Sequence, residues 1–218
     1  MHLNYTNIYY INIKNFMSSV ITKKNFQRTL DKSVSREDAE KAVETLIKWA
    51  GDDPSREGLR DTPKRVVNAF NEFFSGYNES PNDYLSKTFE DVEGYEDIVM
   101  LKDISFHSHC EHHMVPIIGK VHLAYIPTKK VVGISKLARV VDIFAKRLQT
   151  QETMTQQIAN CIEKSLKPKG VAVYIEALHQ CMTTRGVHKP NVSTITSCFL
   201  GEFKSDKSIG QRFTDFIK

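Results

Sequence analysis

The residues best suited to chemistry form one short run near the middle of the chain, residues 107–113, which reads HSHCEHH. Thiolate sulfur and imidazole nitrogen are the ligand atoms that zinc prefers. Cys110 and His113 are three positions apart, so a turn can direct both side chains to one ion. The residue types and their spacing therefore predict a metal site here.

A second, shorter cluster, residues 179–181, follows a predicted strand and reads HQC. If the two strand ends meet, Cys181 joins the first two residues as a third ligand. Three protein ligands leave a fourth position for water, which is the arrangement of catalytic zinc, and zinc lowers the pKa of that water to about 7. His112 and His179 would then lie beside the metal, where they are suited to proton transfer.

Other interpretations of these clusters remain open on the sequence alone. Four of the side chains could form a closed, structural zinc site. The histidines could instead satisfy only local hydrogen bonds, and the two cysteines could be linked as a disulfide in an oxidised, metal-free protein. Five candidate ligands within residues 107–113 favour metal binding over local hydrogen bonding.

A basic helix start is predicted at residues 133–139, GISKLAR, where a glycine-containing turn leads into a helix capped by Ser135. Backbone N–H groups and the helix dipole at such a start favour an anion. Lys136 and Arg139 share one face of this helix and could hold phosphate oxygens, and Arg185 could close the same site. A solvated basic helix face is the alternative interpretation.

The next predicted helix begins near the pair Gln151-Glu152, which places a carboxylate at its start. A carboxylate there can accept two parallel N–H bonds, which is the pattern that guanine offers with its N1–H and its 2-amino group. The alternative is an acidic first turn that only interacts favourably with the helix dipole.

Regular elements must position these residues. Ser35 and Asp38 predict a capping box at the start of a first helix, and Thr62-Pro63 predicts the cap and first position of a second. Residues 77–94 are polar and are interpreted as a connection. The rest of the chain is predicted to contain strands near residues 99–106, 117–126, 171–175 and 192–203, helices beginning at Ser135 and Glu152, and a short last helix within residues 205–218.

Two helices followed by a strand–strand–helix–helix–strand–strand order predict an α+β fold with antiparallel pairing. The chain is divided into a flexible arm of residues 1–32, a helical region of residues 33–95 and an α+β domain of residues 96–218. A sheet of four antiparallel strands leaves two open edges, which another copy of the chain could cover.

The composition excludes several classes of protein. A net charge of +4 is too mild for a nucleic-acid groove, and no apolar run is long enough to span a bilayer. Four cysteines are too few for a disulfide scaffold in 218 residues. The N-terminus has no apolar signal segment, so a reducing, cytoplasmic location is expected.

Several separated motifs together resemble the GTP cyclohydrolase I family, from about Ser35 to the C-terminus. They are TPKR at residues 62–65, HCEHH at 109–113, GISKLAR at 133–139, QET at 151–153, TQQI at 155–158 and HQCMTTRG at 179–186. Their number and order make the resemblance far more specific than any one motif. Residues 1–32 fall outside it.

The resemblance implies a role for each matched residue. Zinc would be held by Cys110, His113 and Cys181. The catalytic group would be His112, His179 and Ser135, with the two histidines as the acid–base pair. Substrate would be bound by Glu152 and Gln151 at the guanine, and by Lys136, Arg139, Arg185 and Arg65, with Ser135, at the triphosphate and ribose.

The resemblance also implies the tunnelling fold, whose ββααββ unit agrees with the element order read from the chain. Its members hydrolyse GTP to 7,8-dihydroneopterin triphosphate and formate, and two pentameric rings form a homodecamer with active sites between subunits. Two rival functions are another member of this fold that acts on a pterin or deazapurine, and a zinc-stabilised module that binds a nucleotide without turnover.

Overall fold

The computed structural model describes residues 34–89 and 94–218, so the expected arm of residues 1–32 lies outside the described residues. Helix α1 (Arg36–Trp49) begins after Ser35, whose hydroxyl accepts from the Asp38 N–H while the Asp38 carboxylate accepts from the Ser35 N–H. The predicted capping box is therefore confirmed.

Helix α2 (Thr62–Phe73) begins one residue earlier than the sequence predicts. Asp61 is its N-cap, and Pro63 lies at the second helical position, so the prediction of Thr62 as the cap was wrong. Proline fits either position, because the first N–H groups of a helix have no partner within it. The sequence signal therefore locates this start only to within a residue.

The segment expected to be a plain connection contains short regular elements. A 3-10 helix (Ser75–Asn78), helix α3 (Pro81–Leu85) and strand β1 (Thr88–Phe89) lie there. Strand β1 pairs antiparallel with strand β4 (Val131–Val132). Leu85 is fully buried and packs α3 against the core, but a helix of five residues is too short to show a period in the sequence.

The main sheet contains the four predicted antiparallel strands and one more. Strands β2 (Val99–Cys110), β3 (Pro116–Ile126), β6 (Gly170–His179) and β7 (Ser193–Gly201) lie side by side in that order. A fifth strand, β5 (Leu148–Gln149), pairs parallel with the end of β2. The expectation of four strands was thus wrong by one, because two residues are too few to show alternation.

Two helices, α4 (Ile134–Ala145) and α5 (Gln151–Leu166), pack on one face of this sheet. Helix α4 begins two residues before the predicted position, and α5 begins one residue before it. Gly133 is the N-cap of α4, so Ser135 lies inside its first turn and does not cap it as predicted. Thr150 caps α5 by accepting from the Thr153 N–H, so Gln151 and not Glu152 is its first residue.

The core lies between the sheet and α4 and α5, where the side chains of Val121, Leu123 and Tyr125 of β3 are fully buried. A smaller cluster covers the other face of the sheet. It contains Phe203 of helix α7 (Glu202–Ser205) and Phe213 of helix α8 (Lys207–Ile217). The strand–strand–helix–helix–strand–strand unit and the last helix are confirmed. Within residues 34–89 and 94–218, no helix combines the length and apolar character needed to cross a membrane.

Gly119 of β3 is expected to be essential for close strand packing. A Cβ atom there would overlap the carbonyl oxygen of Glu176 and the side chain of Ala177 on the neighbouring strand β6. We expect Gly119→Ala to lower the free energy of unfolding by about 2–3 kcal/mol, because a packed sheet cannot separate to admit the methyl group. Urea unfolding measures this loss.

The matched control is Gly133→Ala, where the nearest atom to an added Cβ is 4.0 Å away. This variant is expected to lose less than about 1 kcal/mol, since its cost is limited to the helix cap. Equal unfolding midpoints for the two variants would contradict the packing argument.

Candidate metal and nucleotide site

The two histidine–cysteine clusters meet at one end of the main sheet. Cys110 ends β2, and its N–H donates to the Val115 carbonyl at 2.9 Å, which closes a tight turn into β3. Cys181 lies in helix α6 (Gln180–Thr183), directly after β6. Because β3 lies between β2 and β6, and its Ile117 pairs with His179, the two clusters reach the same sheet end.

The three predicted metal ligands converge. The ligand atoms of Cys110, His113 and Cys181 all lie within 4.8 Å of one another, and Cys110 Sγ is 4.0 Å from His113 Nδ1. Tetrahedral zinc with ordinary bond lengths would place neighbouring sulfur and nitrogen ligands roughly 3.5–3.8 Å apart. The group is therefore close to the size that one such ion requires.

The chemistry of the donor set also fits a cation. Both cysteines are free thiols and do not form a disulfide. Burial raises the pKa of the Cys181 thiol, and the neighbouring Cys110 raises it further, because two thiolates side by side repel each other. A divalent cation between them would remove this penalty, so the residues present fit a metal ion.

Both predicted acid–base histidines lie beside this group. His112 Nδ1 is 3.7 Å from Cys110 Sγ, and its other ring nitrogen is 3.8 Å from the Glu111 carboxylate. His179 Nε2 is 2.8 Å from the side-chain oxygen of Gln151. Burial lowers the pKa of His179, and the carboxylate of Glu152 acts in the opposite direction.

Gln151 and Glu152 are adjacent in sequence but lie in different surroundings. Glu152 is exposed on the first turn of α5, whereas Gln151 is only 1% exposed. The Gln151 amide already contacts His179 and the two strands beneath it. Its predicted contact with guanine stays a prediction, and this burial does not favour it.

The predicted phosphate-binding residues are not all at the metal group. Arg185 is at the metal group, because its guanidinium lies 3.1 Å from His113 Nε2. Lys136 instead donates to the Lys87 carbonyl at 2.7 Å, and Arg139 lies 5.7 Å from the centre of the Tyr84 ring.

The two remaining predicted residues are also apart from the cysteines. Arg65 forms an exposed ion pair with Asp61 at 3.4 Å, and Ser135 is exposed on α4. No hydrogen bond or ion pair among the described residues joins Lys136, Arg139, Arg65 or Ser135 to the metal group. A single chain therefore brings together only part of the predicted set.

The structure also gives supporting roles to residues for which the sequence predicted none; His109, for example, was only one of the candidate ligands of residues 107–113. His109 is 7% exposed, and its ring packs 4.6 Å from the Phe73 ring, which fixes the end of α2 against β2 beside Cys110. Thr155 and Thr196 surround the Gln151 amide. The TQQI motif contains Thr155, but nothing in the sequence links it to Thr196.

The fold and the site together define a class, an α+β protein with an antiparallel ββααββ unit and a cysteine–histidine–cysteine group suited to a metal ion. A family model described as GTP cyclohydrolase I matches residues 39–218. GTP cyclohydrolase 1 of Maricaulis maris (strain MCS10) is 65% identical over 184 residues, which cover 84% of this chain and 90% of that protein. The chain belongs to the GTP cyclohydrolase I family, whose members convert GTP to dihydroneopterin triphosphate.

Another relative matches over a longer stretch of the chain. GTP cyclohydrolase 1 of Hyphomonas neptunium (strain ATCC 15444) is 63% identical over 198 residues, which cover 90% of this chain and 96% of that protein. Among solved structures, the archaeosine synthase QueF-Like in the apo form is 19% identical, with a TM-score of 0.40. The match covers 48% of this chain and 93% of the chain of that protein. Family membership rests on the sequence relatives.

Proposed function

We propose that the protein is a zinc-dependent hydrolase that converts GTP to 7,8-dihydroneopterin triphosphate and formate. The observation that supports this most is the convergence of Cys110, His113 and Cys181 from two distant parts of the chain, with His112 and His179 beside them. Membership of the GTP cyclohydrolase I family supplies the substrate and the reaction.

Cys110, His113 and Cys181 would hold the zinc ion, and their number leaves one coordination position for water. The ion would supply Lewis acidity that activates water at neutral pH for attack at C8 of the purine. Arg185 lies beside the metal group, 3.1 Å from His113 Nε2, which is the ring nitrogen that faces away from Cys110. There its guanidinium would meet the phosphates of GTP.

His112 and His179 would move the protons. Ring opening needs a proton on the purine nitrogen that leaves C8, and the second hydrolysis, which releases formate, needs a further transfer. A neutral imidazole can take a proton and return it, and burial, which lowers the pKa of His179, favours this neutral form. Ser135 would assist from the start of α4.

Glu152 would bind the guanine edge. Its carboxylate is exposed on the first turn of α5, and it is near enough to His179 to raise the pKa of that imidazole against the effect of burial. Two carboxylate oxygens match the parallel N1–H and 2-amino donors of guanine. This contact would place C8, at the opposite end of the purine, toward the metal group.

The complete site would need neighbouring copies of the chain. Lys136, Arg139 and Arg65 contact parts of their own chain other than the metal group, so we infer that they bind phosphate at the site of a neighbouring subunit. Leu46 and Trp49 of α1 are 62% and 86% exposed, which leaves apolar surface available for such contacts. We infer a homo-oligomer, a decamer of two pentamers as in the family.

The thiols of the metal group would need a reducing compartment, which supports a cytoplasmic location. The modest net charge of +4 gives no support for nucleic-acid binding.

Incubation of the zinc-loaded protein with GTP tests this function. We expect formate and a dihydroneopterin phosphate in equal amounts, measured by a formate assay and by pterin fluorescence after oxidation. ATP serves as the control, since its adenine lacks the N1–H and the 2-amino group, and it should yield neither product. Tight GTP binding without formate release would instead support a nucleotide-binding module.

A further inference from the structure

Gln151 occupies the most enclosed polar position of the site. Its side-chain nitrogen has two N–H groups, and three acceptors lie within hydrogen-bond distance of it, namely the carbonyl oxygens of Thr194 at 2.9 Å and Ile175 at 3.2 Å and the Thr196 hydroxyl at 3.1 Å. Carbonyl oxygens can only accept, so the nitrogen and not the oxygen of the amide must face the strands. The orientation of this amide is therefore determined by its partners.

The hydroxyl groups around the amide complete a closed network. Thr155 donates to the backbone carbonyl of Gln151 at 2.7 Å and lies 2.7 Å from the Thr196 hydroxyl. Since the Thr155 proton is used, Thr196 donates to Thr155 and keeps a lone pair for the Gln151 amide. Thr155 and Gln151 are 2% and 1% exposed, so both lie out of reach of a ligand.

This network leaves the Gln151 oxygen facing His179, 2.8 Å from Nε2. An amide oxygen can only accept, so Nε2 of His179 must carry a proton. A neutral imidazole has one proton, and its lone pair is then on Nδ1. No hydrogen bond among residues 34–89 and 94–218 engages Nδ1.

We propose that Gln151 is a positioning residue that holds His179 in a single orientation and tautomer, so that His179 exchanges protons through Nδ1. This inference rests on the proposed function, and it assigns Gln151 to the base and not to the guanine. A general base needs a neighbouring group that orients its ring, and the loss of such a partner typically lowers activity about 10–100-fold.

The central variant is Gln151→Met, which keeps the side-chain length and removes the polar atoms. We expect kcat to fall about 10–100-fold while the Kd for GTP, measured on metal-free protein by calorimetry, stays within about threefold. A residue that binds guanine would instead weaken GTP binding when it is replaced. A large increase in that Kd would overturn the proposal.

Thr196→Val is the matched control for disturbance of the buried network. It removes one acceptor of the amide, but the two carbonyl partners still orient Gln151 toward His179. We expect its kcat to stay within about threefold of the wild type. A loss equal to that of Gln151→Met would show that any damage to the network lowers activity, and the proposal would fail.

A double-variant cycle tests whether Gln151 acts through His179. If it does, Gln151→Met added to His179→Ala should cost no further activity, because the positioned ring is already absent. Additive losses would contradict the proposal.

The last measurement is independent of turnover. In protein labelled with 15N-histidine, the His179 signals, assigned with His179→Ala, should show a protonated Nε2 and an unprotonated Nδ1 in the wild type. They should show mixed tautomers in Gln151→Met. A mixture in the wild type would overturn the proposal even if GTP is hydrolysed, whereas a single Nε2–H tautomer without GTP turnover would refute only the proposed function.

Discussion

Replacing Cys181 with serine is expected to remove the bound zinc and to lower formate release by roughly three orders of magnitude or more. The variant leaves Cys110 and His113 as the only protein ligands of the group, because a serine hydroxyl does not ionise near neutral pH. With two ligands the site can neither retain zinc nor orient a water for attack. Metal content by mass spectrometry and formate by enzymatic assay measure the two effects.

Cys198→Ser is the matched control for this experiment. Cys198 lies on β7, partly buried against the core and outside the metal group, and burial raises its pKa so that it stays an uncharged thiol. This variant should retain zinc and activity. Stoichiometric zinc and undiminished formate release in Cys181→Ser would refute the assignment of the metal ligands.

The second large effect is expected from Glu152→Gln. The carboxylate offers two acceptors to two guanine N–H groups, whereas the glutamine amide places its own N–H₂ against one of them. We expect kcat/KM for GTP to fall about 10²–10³-fold, because a donor that faces a donor leaves both without a partner. Steady-state kinetics with GTP and inosine triphosphate measure this loss.

Inosine triphosphate lacks the 2-amino group, so the wild type should prefer GTP, and Glu152→Gln should largely lose that preference. Glu163→Gln is the matched control, since Glu163 is an exposed carboxylate further along the same helix α5. It should behave as the wild type. An unchanged preference for GTP in Glu152→Gln would show that guanine is recognised elsewhere.

Long elements with a clear period could be predicted from the sequence, and short ones could not. The strands β3 and β6 have signals that extend over many residues, and the capping box at Ser35 marks the start of a long helix. The two-residue strand β5 and the five-residue helix α3 have no period, because their stability comes from the elements they pack against. Helix starts were predicted to within two residues, since neighbouring residues can often serve equally well as the cap.

The different surroundings of Gln151 and Glu152 show that the sequence does not predict which side chain of an adjacent pair is buried. Successive residues of a helix point about 100° apart, so one of an adjacent pair can be buried while the other is exposed. Which of the two faces the sheet depends on how α5 rotates against β6 and β7. The sequence places both at a helix start, but only the packed structure directs Gln151 to His179 and Glu152 to the surface.

By itself the sequence determined the chemical types at the site, because sulfur and imidazole donors and a carboxylate are properties of single residues. It also indicated that Cys110 and His113 can share an ion, since three positions are bridged by one turn. Only the tertiary structure decided that Cys181 joins them and that Lys136 and Arg139 do not within one chain. The physical reason is that contact between distant residues depends on strand order and register, here β3 between β2 and β6, which the packing of the whole sheet sets.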